Sequence, residues 1–318
     1  MPLLSRPARL SRQPENERAD RPAQLVKERI TEGGWPGLSV SGKQAGIFAV
    51  CANPHCRSGW LHLWRNRETP IFEGGWCCSE ACTAVQVDAA LAREMDGWKN
   101  ERQSYRHRIP LGLAMLEQGW ITQETLRAAL TAQRAAGAGK LGGWLVRQGK
   151  VHPQLITRAL GLQWGCPVLD LESHNPEGLA ALTPRLFVDA FGALPLRVAS
   201  ERILYLGFES CLDATLALAV ERITGLRVEC GLLEESCFRT AHHRMLEAQY
   251  PPSELIEAGT QAALSAALAR AVERARPVGA RLVRVHECMW LRMWLRPQSG
   301  PVPESATIRD VIGWLGAH

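Results

Sequence analysis

Residues 110–163 state nearly the same pattern twice, and that duplication limits what the chain can fold into more than any other feature. The first copy, PLGLAMLEQGWITQETLRAALTAQ, runs from Pro110 to Gln133; the second, KLGGWLVRQGKVHPQLITRALGLQ, runs from Lys140 to Gln163. At a constant offset of 30 residues, Leu111 falls on Leu141, Gly112 on Gly142, Gly119 on Gly149, Leu126 on Ile156, Leu130 on Leu160 and Gln133 on Gln163. A fixed period with no gaps marks a duplicated structural unit. Each copy reads as a short helix, a glycine stop and a longer helix. In the first, Leu111, Met115 and Leu116 form an apolar stripe closed by Gly119, a residue type suited to ending helices. Thr122 is the cap of the next helix, and Glu124 in its first turn suits the positive end of the helix dipole. Leu126, Leu130 and Gln133 then share one face. In the second copy Pro153 takes the first helical position, where a missing N–H costs nothing, and Ile156, Leu160 and Gln163 repeat the stripe.

The remainder of the chain divides around this unit. A content of 46% hydrophobic and 22% charged residues is that of a soluble globular protein, and 318 residues suffice for two or three small cores. The net charge of +5 is mild and spread along the chain, too little by itself to argue for a nucleic-acid-binding surface. No run has the length of a membrane span and Met1 is not followed by a signal-peptide pattern, so the expected compartment is the cytoplasm. Residues 1–45 have no sustained apolar period and are expected to be a disordered leader with at most a short helix around Gln24 to Ile30.

Residues 46–97 hold five of the ten cysteines. Cys51 and Cys56 flank an Asn53-Pro54 turn, an alternating stretch from Trp60 to Trp64 follows, and Cys77, Cys78 and Cys82 stand where a helical pattern begins. A knuckle, a hairpin and a helix whose first turn carries the second cysteine pair resembles a treble-clef zinc finger. Two short-spaced pairs supply the four thiolates that tetrahedral zinc requires, and four protein ligands leave no open position for catalysis. The expected ligands are Cys51, Cys56, Cys78 and Cys82. Cys77 competes with Cys78, which is preferred because Cys-Ser-x-x-Cys at a helix start resembles other fingers of this kind. His55 and His62 are weaker candidates, and buried free cysteines are the alternative to a metal. Residues 98–109 are a basic linker.

The duplicated unit and the segment after it resemble a known family, the N-terminal MshEN-type domain of type II secretion and type IV pilus assembly ATPases. That family carries two tandem RLGxxLVxxG motifs, each followed after six residues by LxxxLxxQ. Gly165–Leu171, Leu194-Pro195-Leu196, Ile203–Phe208 and Thr224–Val228 are similar to its later strands and helix end, so the likeness covers about 108–248 of this sequence. The resemblance implies a small α/β subdomain over 164–250 packed with the repeat of 110–163. It also implies binding of cyclic di-GMP by Leu111, Gly112, Met115, Gly119, Leu126, Leu130 and Gln133 of the first copy. From the second copy it implies Lys140, Leu141, Gly142, Leu145, Gly149, Ile156, Leu160 and Gln163. On that reading Gly112 and Gly142 let backbone N–H groups approach the dianion. The family's leading arginine is replaced by Pro110 and Lys140, neither of which offers its planar fork. The alternative is a scaffold whose stripes are simply core.

Those ATPases use a GxxxxGK[ST] phosphate loop. Gly42-Lys43 and Gly139-Lys140 lack that spacing, so no ATP hydrolysis is expected of this sequence, and no other catalytic constellation stands out. In 251–318, a helix is expected over 254–276, then a strand-rich stretch with Trp290, Arg292, Trp294 and Arg296 on a half-exposed face, and a closing helix over 306–316. The expected whole is a modular α+β protein: a four-cysteine zinc finger, a tandem-repeat helical subdomain with a small α/β subdomain (together 110–250), and a short α+β tail. The function expected is a non-enzymatic regulatory or adaptor protein related to secretion or pilus machinery, with protein partners, structural zinc and cyclic di-GMP as ligand. A structural scaffold is the second reading. A zinc-finger nucleic-acid binder is the third, disfavoured because the finger's helix carries Asp88 and Glu94.

Overall fold

A computed structural model of the chain describes residues 50–57, 69–100, 108–171 and 174–316. The expected leader, the hairpin stretch with His62 and most of the basic linker lie outside the described residues. In chain order, a two-stranded ribbon, β1 (Ile71–Phe72) and β2 (Gly75–Trp76), leads into helix α1 (Glu80–Asn100). The duplicated unit is next, as α2 (Leu111–Glu117), α3 (Gln123–Ala136), α4 (Leu141–Gly149) and α5 (Pro153–Trp164). The local signals act as their chemistry demands. Thr122 Oγ1 accepts the Thr125 N–H at 3.2 Å, Pro153 opens α5, and Gly137 and Gly165 close α3 and α5 in the left-handed conformation. The copies pack crosswise, α3 on α4 and α2 on α5, around Met115, Leu126, Ala129, Leu145 and Ala159.

The next layer contains α6 (Pro176–Leu179), α7 (Arg185–Phe191), β3 (Leu194–Ala199), β4 (Ile203–Phe208), α8 (Ala214–Thr224), β5 (Arg227–Leu232) and α9 (Glu235–Glu247). Its sheet runs β3-β4-β5, antiparallel then parallel. Gly165–Leu171, expected as a strand, contributes only an isolated bridge from Val168 to Leu232. Pro167 and the close of α5 at Gly165 keep that segment from forming a longer ladder.

The last layer departs from expectation most. Strand β6 (Ser253–Ala258) precedes α10 (Gln261–Ala275), so Leu255 and Ile256 are strand residues rather than the start of a helix. The helix begins where Thr260 caps the Ala263 N–H at 3.2 Å. Strands β7 (Gly279–Val285) and β8 (Cys288–Trp294) form a hairpin, and β9 (Ile308–Leu315) replaces the expected closing helix. The order is β6-β9-β8-β7, with β9 parallel to β6 and antiparallel to β8. Ile308, Val311 and Ile312 are β-branched and fully buried, which favours a central strand.

Strands β7, β8 and β9 of this sheet are buried on both faces, while β6 is an exposed edge. Met289, Leu291 and Met293 face α10 and α1 in a core that also takes in Cys51, Cys77, Cys78 and Cys82. Trp290 and Trp294 face the α/β layer together with Phe187, Leu204 and Ile223. Of the expected half-exposed Trp/Arg face, Trp290, Arg292 and Trp294 are therefore interior, while Arg296 lies beyond β8 and is exposed. Arg292, 1% exposed in its side chain, lies 4.8 Å from the Trp290 ring centroid and bonds both oxygens of Asp310 at 2.8 Å, with 2.7 Å to the Ala181 carbonyl. Asp310 also accepts the Trp290 indole N–H at 2.8 Å. A charge so buried persists because hydrogen-bond partners surround it.

Candidate functional site

Two places gather chemistry. The first is the cysteine cluster. The Asn53-Pro54 turn is fixed by the Cys56 N–H donating to the Asn53 carbonyl at 3.0 Å and the His55 N–H donating to Asn53 Oδ1 at 2.9 Å. The Ala52 N–H bonds the Trp76 carbonyl at 2.7 Å, which holds this turn against the ribbon, and Ser79 Oγ accepts from the Cys82 N–H at the start of α1. The result brings the sulfurs of Cys51, Cys56, Cys78 and Cys82 within 4.8 Å of one another. Two of the separations, Cys56 to Cys78 at 3.5 Å and Cys78 to Cys82 at 3.6 Å, approach the ~3.8 Å edge of a tetrahedron of thiolates around zinc.

These four residues could hold a metal ion. Backbone N–H groups of Cys78 and Asn53 donate to Cys51, and the Asn53 amide donates to Cys82 Sγ at 3.4 Å. Donors aimed at sulfur suit thiolate ligands. Without a cation, burial pushes the Cys51 and Cys78 thiols up, so metal binding must expel protons against that bias. Cys77, the sequence competitor, stands outside the group and is pushed up to about 12, chiefly by burial. His55 is exposed.

The second place is the repeat, whose candidate residues divide by role. Met115 and Leu145 are fully buried and Leu126 nearly so. Gly112 and Gly142 are buried against their own copies: a Cβ would lie 2.6 Å from Leu126 Cδ1 at the first and 2.7 Å from Ile156 Cγ2 at the second. Their missing side chains let the short and long helices of each copy touch. Gly149 meets the other copy instead, a Cβ there lying 2.6 Å from Thr125 Cγ2; it is the last residue of α4, whose left-handed close falls on Lys150 rather than on the expected glycine, while Gly119 takes a φ of +69° just beyond α2. Leu130 is half-buried against the repeat core. The glutamines are reciprocal. Gln133 Nε2 donates to the Gly139 carbonyl at 2.7 Å and Gln163 Nε2 to the Ile109 carbonyl at 2.7 Å, so each copy clamps the residue just before the other. Arg108, upstream of the first copy, lies 3.2 Å over the Trp164 ring.

Leu111, Lys140, Leu141, Gly142, Ile156 and Leu160 line one cavity of about 910 Å³ between the second copy and the α/β layer. Its walls also include Gly143, Arg147, Glu209, Glu234 and Arg239, which sequence reasoning missed. The last three come from the end of β4 and the start of α9, far along the chain, and carry no local pattern. Lys140 Nζ lies 3.5 Å from Glu209 Oε2 and 3.2 Å from Ser210 Oγ.

Helix α1 ties the cysteine cluster to the α/β layer and to β7. Glu94, buried near its C-terminal end, receives Arg222 of α8 at 2.6 and 2.8 Å, Arg93 at 3.2 Å and the Arg284 N–H at 3.3 Å. Burial pushes the Glu94 carboxyl up, but the Arg222 and Arg93 guanidinium groups outweigh it and hold the group below the usual carboxylate range. No helix among the described residues is long and apolar enough to cross a membrane.

No family model matches the chain. Type IV pilus assembly ATPase PilB of Thermus thermophilus is 34% identical over 147 residues, 45% of this chain and 16% of that protein. Bacteriophage adsorption protein B of Escherichia coli K12 is 31% identical over 120 residues, 37% of this chain and 16% of that protein. Among solved structures, MshE with cdg aligns at 22% identity and a TM-score of 0.35, covering 43% of this chain and 99% of that one. The N-terminal domain of XpsE aligns at 22% identity and a TM-score of 0.30, over 42% and 92%. The chain thus spans 16% of the length of each of these two curated relatives, and it is related over that portion to a pilus assembly ATPase.

Proposed function

We propose that this protein is a non-enzymatic regulatory or adaptor protein related to type II secretion or type IV pilus machinery. On this reading it senses cyclic di-GMP through the second copy of the repeat and is stapled by zinc at Cys51, Cys56, Cys78 and Cys82. The observation that carries the reading is the cavity beside the second copy. There the motif residues Lys140, Leu141, Gly142, Ile156 and Leu160 meet the α/β layer, with apolar walls for a base and cations for a phosphate. The zinc would be structural, since four thiolates fill its coordination and it supplies folding energy rather than a reactive water. A message received at the cavity would be passed to a protein partner.

A second reading, a scaffold that binds no nucleotide, is favoured by one observation: Gly112 and Gly142 are fully accounted for by close helix packing within each copy. Calorimetry separates the two. Heat of binding with cyclic di-GMP, abolished in Lys140→Ala, is expected; a silent titration at tens of micromolar ligand would leave the scaffold. For the metal, about one zinc per chain is expected in the purified protein and its loss in Cys56→Ala. Full thermal stability of the metal-free protein would refute the staple.

A further inference from the structure

We propose that Glu209 occupies the anion position of the second copy's cavity, holding the place of a ligand phosphate between Lys140 and Arg239, and so sets how readily a phosphate ester enters. The proposal rests on the ligand-binding reading above. Glu209 follows directly on β4, so the sheet fixes where its carboxylate stands. One oxygen lies 3.5 Å from Lys140 Nζ, at the start of α4, and the other 3.7 Å from Arg239 Nε, on α9. Two cations from two different layers therefore converge on one acid. The cations are well hydrated, with side chains 68% and 70% exposed, while the carboxylate is 27% exposed and faces the cavity.

The remaining carboxylates of this cavity are engaged locally. Glu234 caps α9, taking the Ser236 N–H at 3.4 Å and its hydroxyl at 2.7 Å, and Glu235 pairs with Arg239 one turn along the same helix. Glu209 is thus the one of the three that bridges separate elements. With Lys140, Arg147 and Arg239 set against Glu209, Glu234 and Glu235, the cavity is close to charge balance before any ligand arrives. A phosphate diester brings further negative charge, and the two cations best placed to receive it are already paired, Lys140 with Glu209 and Arg239 with both Glu209 and Glu235. Entry must break the Lys140 and Arg239 pairs with Glu209, and the like charge of the acid opposes it afterwards. Because the pairs are solvent-screened, the effect is several-fold and not absolute.

Calorimetry on the full chain with cyclic di-GMP and, separately, inorganic pyrophosphate tests this. Glu209→Gln, which keeps the shape and removes the charge, is expected to bind cyclic di-GMP roughly three- to tenfold more tightly than the wild type. Glu209→Asp, which keeps the charge, is expected not to. Equal affinities of wild type and Glu209→Gln overturn the role of Glu209 and leave the cyclic di-GMP reading in place. If cyclic di-GMP binds neither protein while pyrophosphate binds Glu209→Gln more tightly than wild type, the anion position stands and the cyclic di-GMP reading falls. Silence from both probes with every variant overturns both.

Discussion

The two copies of the repeat share a skeleton and differ on the face that meets the α/β layer. Gly112 and Gly142, Met115 and Leu145, and Gln133 and Gln163 play the same parts in each, packing one helix on another or clamping the opposite copy. Lys140, Gly143 and Arg147 of the second copy, which edge the cavity, correspond to Pro110, Leu113 and Glu117 in the first. There a cation is lost, a small residue becomes an exposed leucine and a positive charge becomes negative. Positions that hold the fold are alike between the copies, whereas positions on the cavity face differ, so any ligand asymmetry arises from surface chemistry on a common frame.

That contrast can be broken most sharply in the core. Met115→Ala and Leu145→Ala each remove a fully buried side chain and are expected to cost about 2–5 kcal/mol, equal between copies within about 1 kcal/mol, by urea denaturation. A loss confined to one copy would mean the skeleton is not shared. The glycines are expected to separate by a smaller margin. A methyl at Gly112 meets the tip of Leu126, a flexible side chain, but at Gly142 it meets the Cγ2 of β-branched Ile156, which is stiff. Gly142→Ala is thus expected to destabilise by about 2 kcal/mol and Gly112→Ala by about 1 kcal/mol; the reverse order would contradict the packing described. Smallest is the glutamine pair. Gln133→Ala and Gln163→Ala each remove one hydrogen bond and are expected to cost about 0.5–1.5 kcal/mol, and their double variant should show near-additivity. A coupling above about 1 kcal/mol would indicate that the two clamps act as one unit.

The repeat was legible because its signals are local: a constant offset, capping residues at the helix ends and stripes at helical spacing. The cysteine group was legible for a related reason, since metal-ligand spacing is written within a few residues, and the fold brings together Cys51, Cys56, Cys78 and Cys82 and leaves Cys77 aside. What failed to show in the sequence depends on distant partners. Arg292 reads as part of a half-exposed face because the Asp310 that neutralises it comes from another strand. By their apolar spacing Leu255 and Ile256 read as the start of a helix that Thr260 in fact begins, and there the cap is the better signal than the apolar pair. The cavity's Glu209 and Arg239 sit tens of residues beyond the motif, and only the folded chain brings them to Lys140.

The position of α1 has a consequence for how this protein is made. Thr83, one residue past the last ligand candidate, bonds Glu273, and the helix lies against α10 and β7, nearly two hundred residues later in the sequence. A ribosome therefore delivers the four thiols long before it delivers the layer that covers them. During that interval they are open to oxidants and to competing ions, and a correctly chosen metal acquired early would guard them until the last strand closes the sheet.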